Sequence, residues 1–242
     1  KPWGLILFTR NIKSLKQIMN LIKKIRKLTK DKKFPIMIDE EGSSVSRLSK
    51  IIDNNFSQKL FGDMYDFNPK TCLTFYKNYI NNLSGLLRKI GININTVPVL
   101  DVLRKKTNKI IGNRSFSSDP KVVKFLGKIC VQQYKLNKIA TVIKHIPGHG
   151  CSVLDSHLKT PEVNLKYKNL NNLDFLPFKS NTSIFAMTAH IVYSKIDKNN
   201  VATFSKKIIY NIIRKKIGFK GILISDDISM KALKYDLLTN AK

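Results

Sequence analysis

Residues 144–157 read Lys-His-Ile-Pro-Gly-His-Gly-Cys-Ser-Val-Leu-Asp-Ser-His, and three of the chain's four histidines, His145, His149 and His157, fall inside this one stretch. An imidazole titrates near neutrality and can pass a proton in either direction, so histidines grouped with an aspartate are candidates for general acid and base work. They could instead ligate zinc, because His145 and His149 stand four residues apart, as ligands do on one face of a helix. Pro147 and Gly148 disfavour a helix there. No cysteine or carboxylate at an established zinc spacing completes a ligand set, so no metal is expected. A loop whose histidines only satisfy backbone groups is the third reading. The fourth histidine, His190, closes the apolar run Ile184-Phe185-Ala186-Met187-Thr188-Ala189. That second placement at the end of a run favours an active-site loop.

The histidine stretch follows residues 139–143, whose β-branched side chains suit a buried strand. The same arrangement recurs along the chain. Residues 3–8, 34–38, 94–100, 139–143, 184–189 and 221–224 read as six strands. Each ends in polar groups: Thr9-Arg10-Asn11, Asp39-Glu40, Asp101, Lys144-His145, His190 and Asp226-Asp227. Amphipathic helices are predicted over 11–30, over 68–90 with Gly91 as a cap, and over 119–136 with Asp119 and Pro120 opening it. A short helical passage at 171–180 and a basic helix at 205–217, stopped by Gly218, complete the set, and the passage after Gly42 reads as polar and irregular up to residue 68. Strand–helix alternation forces parallel pairing with right-handed crossovers. Periodicity does not separate a closed barrel from an open doubly wound sheet. The glycine-rich fingerprint of dinucleotide binders is missing from the first turn, which favours a (β/α) barrel, and in a barrel all the polar strand ends converge on one face.

With 242 residues, 43% hydrophobic and 25% charged, the chain is long enough for one large α/β domain and has an ordinary globular composition. Its net charge of +28 is not ordinary, and such an excess could mark a binder of nucleic acid or of an anionic membrane surface. Arginine contributes only Arg10, Arg26, Arg47, Arg88, Arg104, Arg114 and Arg214, while the lysines are spread over every segment without a nucleic-acid motif. Solvated helix faces explain the excess better, and neither a nucleic-acid nor a membrane partner is expected. Cys72, Cys130 and Cys151 are odd in number and far apart, so a reducing compartment, the cytoplasm, is expected. No apolar run approaches the roughly 18 residues of a membrane span. The chain enters a strand directly after Lys1 and reads as a piece of a longer protein.

Seven segments carry a resemblance. They are Gly4-Leu5-Ile6-Leu7-Phe8-Thr9-Arg10-Asn11, Ile38-Asp39-Glu40-Glu41-Gly42, Pro98-Val99-Leu100-Asp101-Val102, Gly112-Asn113-Arg114-Ser115-Phe116, residues 144–157, Met187-Thr188-Ala189-His190 and Ile224-Ser225-Asp226-Asp227-Ile228-Ser229-Met230. In this order and over this span the chain resembles the bacterial β-N-acetylhexosaminidases of glycoside hydrolase family 3, enzymes of peptidoglycan recycling that act on β-linked N-acetylglucosamine.

The resemblance implies a (β/α)8 TIM-type barrel of which about six of eight strands are present, the first and last being absent, so that residues 1–242 form one catalytic domain. It implies a retaining hydrolase working through a covalent glycosyl-enzyme, as a monomer and without a cofactor, on the terminal sugar of muropeptides. Asp226 is then the nucleophile, and His157 with Asp155 the acid/base dyad. Two residues apart, those side chains meet only if the loop folds back, which suggests a loop that closes over substrate. Taken alone, Asp155-Ser156-His157 fits an Asx-type turn better. Sugar binding falls to Asp39, Arg47, Arg114, Lys144 and His145, with a buried Asp39–Arg114 salt bridge as the alternative for that pair. Asp227 is expected to brace its own loop. Gly42-Ser43-Ser44 stands where the family usually has Gly-Gly-Arg, which removes a basic residue near the sugar. Two further readings stay open: a β-glucosidase of the same family, whose acid/base generally comes from elsewhere, and an inactive basic barrel fragment that binds an anionic partner.

Overall fold

The apolar runs pair side by side into a single parallel sheet. The computed structural model describes residues 2–105, 107–152, 160–233 and 236–241. Six strands, β1 (Leu5–Leu7), β2 (Ile36–Ile38), β3 (Ile94–Asn95), β4 (Ala140–Ile146), β5 (Phe185–Thr188) and β6 (Ile222–Ser225), follow one another in space in chain order, every neighbouring pair parallel. Helices α1 (Leu15–Thr29), α2 (Gln58–Phe67), α3 (Pro69–Ile90), α4 (Pro120–Leu136), α5 (Tyr167–Asn172) and α6 (Ile208–Ile217, wound as a π-helix) lie between them. Their ends are capped, at Asp119, Gly91 and Gly218 as expected and at Asn68 in addition. The Asn68 side chain accepts from Thr71 N at 3.0 Å, that of Asp119 accepts from Lys121 N at 2.7 Å, and Gly91 and Gly218 close their helices at φ 98° and 80°.

Strand alternation divides the apolar side chains into two layers. Ile36, Ile38, Ile143 and Ala186 face the helices and join a large core with Ile18, Ile22, Leu87, Leu126 and Ile213. Their neighbours Met37, Val142, Phe185 and Met187 face the other way and pack with Ile94 and Ile224. The sheet curls around this second cluster: Trp3, just before β1, places its ring 5.6 Å from that of Phe185 on β5, edge to face. This is the arc of a (β/α) barrel. Among the described residues β1 and β6 each pair on one side only, and Leu5, Ile6 and Ile222 are exposed.

Several sequence boundaries shift. The third strand, expected over 94–100, is Ile94–Asn95, so Asp101 lies on the segment after it and not at its end. The irregular passage contains α2, capped by Ser57; its Gly62 obscures the helical pattern, yet a Cβ there would stand 1.8 Å from the Phe116 carbonyl oxygen, so only glycine allows this packing. The short helical passage lies earlier, at Tyr167–Asn172, followed by a single 3₁₀ turn over Leu176–Phe178. Strand β4 runs on to Ile146, so Lys144 and His145 belong to a strand and not to the loop after it.

Candidate active site

At the carboxyl ends of the strands is a cavity of about 320 Å³, lined by Asp39, Glu41, Arg47, Arg114, Lys144, His145 and Asp226, with Ser44, Val45, Lys109, Ile110 and Met187 completing the wall. A hollow of about 440 Å³ at the opposite end of the sheet, beside Trp3 and Phe185, has no acidic residue in its lining.

The carboxylates after β2 are sorted by two-residue alternation. Asp39 and Glu41 face the cavity, whereas Glu40 points away and is fully buried, accepting from Ser46 Oγ at 2.8 Å, Leu48 N at 2.9 Å and Asn54 Nδ2 at 2.6 Å. Glu40 thereby folds the following segment back over the strand and brings Arg47 to the site. On β4 alternation is broken on purpose. The pairing with β5 shifts register between Lys144 and Ile146, and this bulge lets two consecutive side chains, Lys144 and His145, line the same cavity.

Charges here are matched in pairs. The Lys144 ammonium reaches Asp39 Oδ1 at 3.1 Å, Glu41 Oε1 at 2.6 Å and Thr96 Oγ1 at 3.0 Å, which engages all three of its donors. Arg114 holds Glu41 with two parallel bonds of 2.8 and 2.9 Å, and Arg47 stands 3.5 Å from Asp39. Thr96 also donates to Asp39. Burial would push both carboxyls up, but Lys144, Thr96 and Arg47 hold Asp39 well below the usual carboxylate range, and Arg114 with Lys144 holds Glu41 at about 2. Burial would likewise strip the proton from Lys144, and Asp39 and Glu41 keep it on. Among the described lining residues, Asp226 completes a set of three carboxylates facing three strong cations, with Lys109 at the exposed edge as surplus. Such a lining suits a neutral ligand rich in hydroxyl and amide groups, which fixed donors and acceptors can orient.

His145 connects this set to Asp226. Its Nδ1 lies 2.7 Å from Asp101 Oδ2, and its Nε2 lies 4.0 Å from Asp226 Oδ2. His190 is one layer removed: its Nε2 donates to the Asp227 carbonyl at 3.1 Å and its Nδ1 meets Thr203 Oγ1 at 2.7 Å. The Asp227 carboxylate accepts from Ser229 N and Oγ at 2.8 and 2.6 Å and so braces the turn. The first part of the histidine stretch is packed against the segment after β3. Thr107 Oγ1 donates to Gly150 O and Tyr193 Oη to Gly148 O, both at 2.6 Å, and a Cβ on Gly150 would come within 1.9 Å of the Val102 carbonyl.

The structure thus brings Asp39, Arg47, Arg114, Lys144, His145 and Asp226 to one cavity. Arg114 pairs with Glu41, not with Asp39. Asp155 and His157 lie outside the described residues. Glu41 and Asp101 were not singled out from sequence as site residues. The alternation Asp39-Glu40-Glu41 carries the signal for the first, whereas the partnership of Asp101 depends on how β3 and β4 lie together. Among the described residues no group of three or more His, Cys, Asp or Glu side chains could hold a metal ion.

Buried His149 makes acid stability measurable. Burial pushes its imidazole down to about 4, with the nearby His145 adding to this and Asp101 opposing it. In the unfolded chain the ring titrates near 6.5, so the stability it contributes is complete above that pH and falls by about 3 kcal/mol as the pH drops to 4. Urea unfolding across this window is expected to show the loss, and His149→Gln to flatten the slope there. An unchanged slope in the variant counts against it.

The profile of the family described as "Glycosyl hydrolase family 3 N terminal domain" matches residues 3–240. Among similar proteins, "Beta-hexosaminidase" of Nitrosomonas eutropha is 32% identical over 96% of this chain and "Beta-hexosaminidase A" of Pseudoalteromonas piscicida 30% identical over 95%. The chain spans 66% and 41% of the lengths of these two relatives. The crystal structure of NagZ from Neisseria gonorrhoeae in complex with N-trifluoroacetyl-D-glucosamine superposes with a TM-score of 0.88 at 30% identity, covering 99% of this chain and 70% of that one.

Proposed function

The chain belongs to glycosyl hydrolase family 3, matching its N-terminal domain over residues 3–240, and on that premise we propose that it forms the catalytic domain of a retaining β-N-acetylhexosaminidase. The substrate is the terminal β-linked N-acetylglucosamine of peptidoglycan-derived muropeptides, and the enzyme acts as a monomer in the cytoplasm. Three free cysteines, two of them buried, agree with a reducing compartment, and among the described residues no helix is long and apolar enough to cross a membrane.

Asp226 attacks the anomeric carbon as a carboxylate and forms a glycosyl ester, while His157, oriented by Asp155, protonates the departing oxygen. The same imidazole then takes a proton from the water that hydrolyses the ester. Asp39 accepts from sugar hydroxyls, and Arg47, Arg114, Lys144 and His145 hold the ring, with Lys144 giving up one of its present bonds to do so. The observation that carries this reading is the placement of Asp226 in the one cavity where Asp39 and Glu41 are set against Lys144, Arg47 and Arg114. A relative in complex with an N-acylated glucosamine derivative supports the amino-sugar substrate.

The protein is expected to release the phenol from an aryl β-N-acetylglucosaminide at least about 100-fold faster than from the matching β-glucoside, with the β-anomer as first product by NMR. Preference for the glucoside would identify the β-glucosidase, an α first product would exclude a covalent intermediate, and salt-sensitive anion binding without turnover would leave the inactive basic fragment.

A further inference from the structure

Asp101 is fully buried behind the cavity wall and does not line it, yet it takes three bonds from two site segments. Its Oδ2 faces His145 Nδ1 at 2.7 Å, and its Oδ1 accepts the backbone N–H of His149 at 2.6 Å and that of His145 at 3.3 Å. Burial would push this carboxyl up, but His145, through charge and hydrogen bond, and the His149 ring and backbone N–H hold it below the ordinary range. An ionised carboxylate only accepts, so Nδ1 of His145 must carry the hydrogen.

We propose that Asp101 is a positioning residue of the glycosidase site, fixing His145 as the Nδ1–H tautomer so that Nε2 presents a lone pair to the cavity beside Asp226, where it accepts a hydroxyl of the bound sugar. The 4.0 Å between Nε2 and Asp226 Oδ2 is too long for a direct bond and leaves that lone pair available. Through the His149 N–H, the same carboxylate pins the start of the stretch that carries Asp155 and His157. The catalytic consequence rests on Asp226 and His145 acting on a sugar as proposed above; the tautomer does not.

Asp101→Asn is the close test. Its amide oxygen keeps both backbone bonds, and its NH₂ replaces Oδ2, so it must donate to Nδ1 and turn His145 into the Nε2–H tautomer. Nitrogen-15 spectra of labelled histidine, recorded at a pH where the rings are neutral and assigned with His145→Gln, are expected to show Nδ1–H in the wild type and Nε2–H in the variant. With an aryl β-N-acetylglucosaminide, kcat/KM is expected to fall about 100-fold in Asp101→Asn, the wrong-tautomer effect known from Asp–His pairs in hydrolases. In a His145→Gln background the same change is expected to cost less than about threefold, because the two residues act as one unit. Equal losses in both backgrounds would overturn the proposal, as would a wild-type His145 in the Nε2–H form. Should the variant not fold, the wild-type spectrum decides alone. Should the protein prove not to cleave these substrates, the two spectra still decide the tautomer while the functional reading fails separately.

Discussion

Asp226→Asn is expected to lower kcat on an aryl β-N-acetylglucosaminide by about 10⁴-fold or more, with the unfolding midpoint moved by no more than about 3 °C. The two halves of this expectation come from different observations. The side chain is about a quarter exposed, and Oδ1 accepts the backbone N–H of Asp227 at 2.8 Å, a bond that asparagine keeps. Little folding energy is therefore lost, whereas the amide is a poor nucleophile for the anomeric carbon. Asp227→Asn is the control. The Asp227 carboxylate is turned to Ser229 and serves its own turn, so its loss is expected to stay within about tenfold. Asp226→Ala with an activated aryl glycoside and azide should yield the α-glycosyl azide, since the small anion enters from the face the carboxylate has vacated. More than a few per cent of wild-type turnover in Asp226→Asn would remove that residue from the nucleophile's role.

What could be read from sequence followed from how local each feature is. Six apolar runs with polar ends are strand-length patterns, and a parallel sheet carries them all to one face, so Asp39, Lys144, His145 and Asp226 could be grouped without coordinates. The helix cap at Asp119 was legible for the same reason: donor and acceptor lie two residues apart. Features that depend on two distant segments were not. Glu41 lies beyond the polar end Asp39-Glu40 that the pattern of the strand at 34–38 marks, whereas extended backbone and its alternation continue through Glu40 and Glu41. Asp101 looked like one more polar strand end; its meaning comes from the bulge on β4 that turns His145 toward it across 44 residues of sequence. Helix α2 was hidden by Gly62, whose purpose is a contact with Phe116 much farther along the chain.

Lys144→Met should be costly to the folded state. It should lower the unfolding free energy at pH 7 by about 3–5 kcal/mol and kcat/KM by about 10³-fold. Lys144 is almost fully buried between Asp39 and Glu41, and methionine matches its stem but leaves the two carboxylates without the ammonium between them. Arg114 and Arg47 remain, yet Arg47 is 3.5 Å away and partly exposed, so Asp39 is left the worse compensated. The pH dependence has a definite sign. Glu41 ionises at about 2 in the fold against 4.5 ordinarily, so its favourable contribution is complete above 4.5 and is lost as the pH falls toward 2. In the variant that contribution shrinks, and the gap from wild type is expected to be widest above pH 4.5 and to narrow below it. Adding Glu41→Gln to Lys144→Met removes one stranded charge and should restore part of the stability without restoring turnover, because the cation that orders Asp39 for the sugar is still missing. A gap independent of pH, or a double variant no more stable than the single one, would mean that Lys144 acts by packing alone. The carboxylate pair would then owe its ionised state to the two arginines.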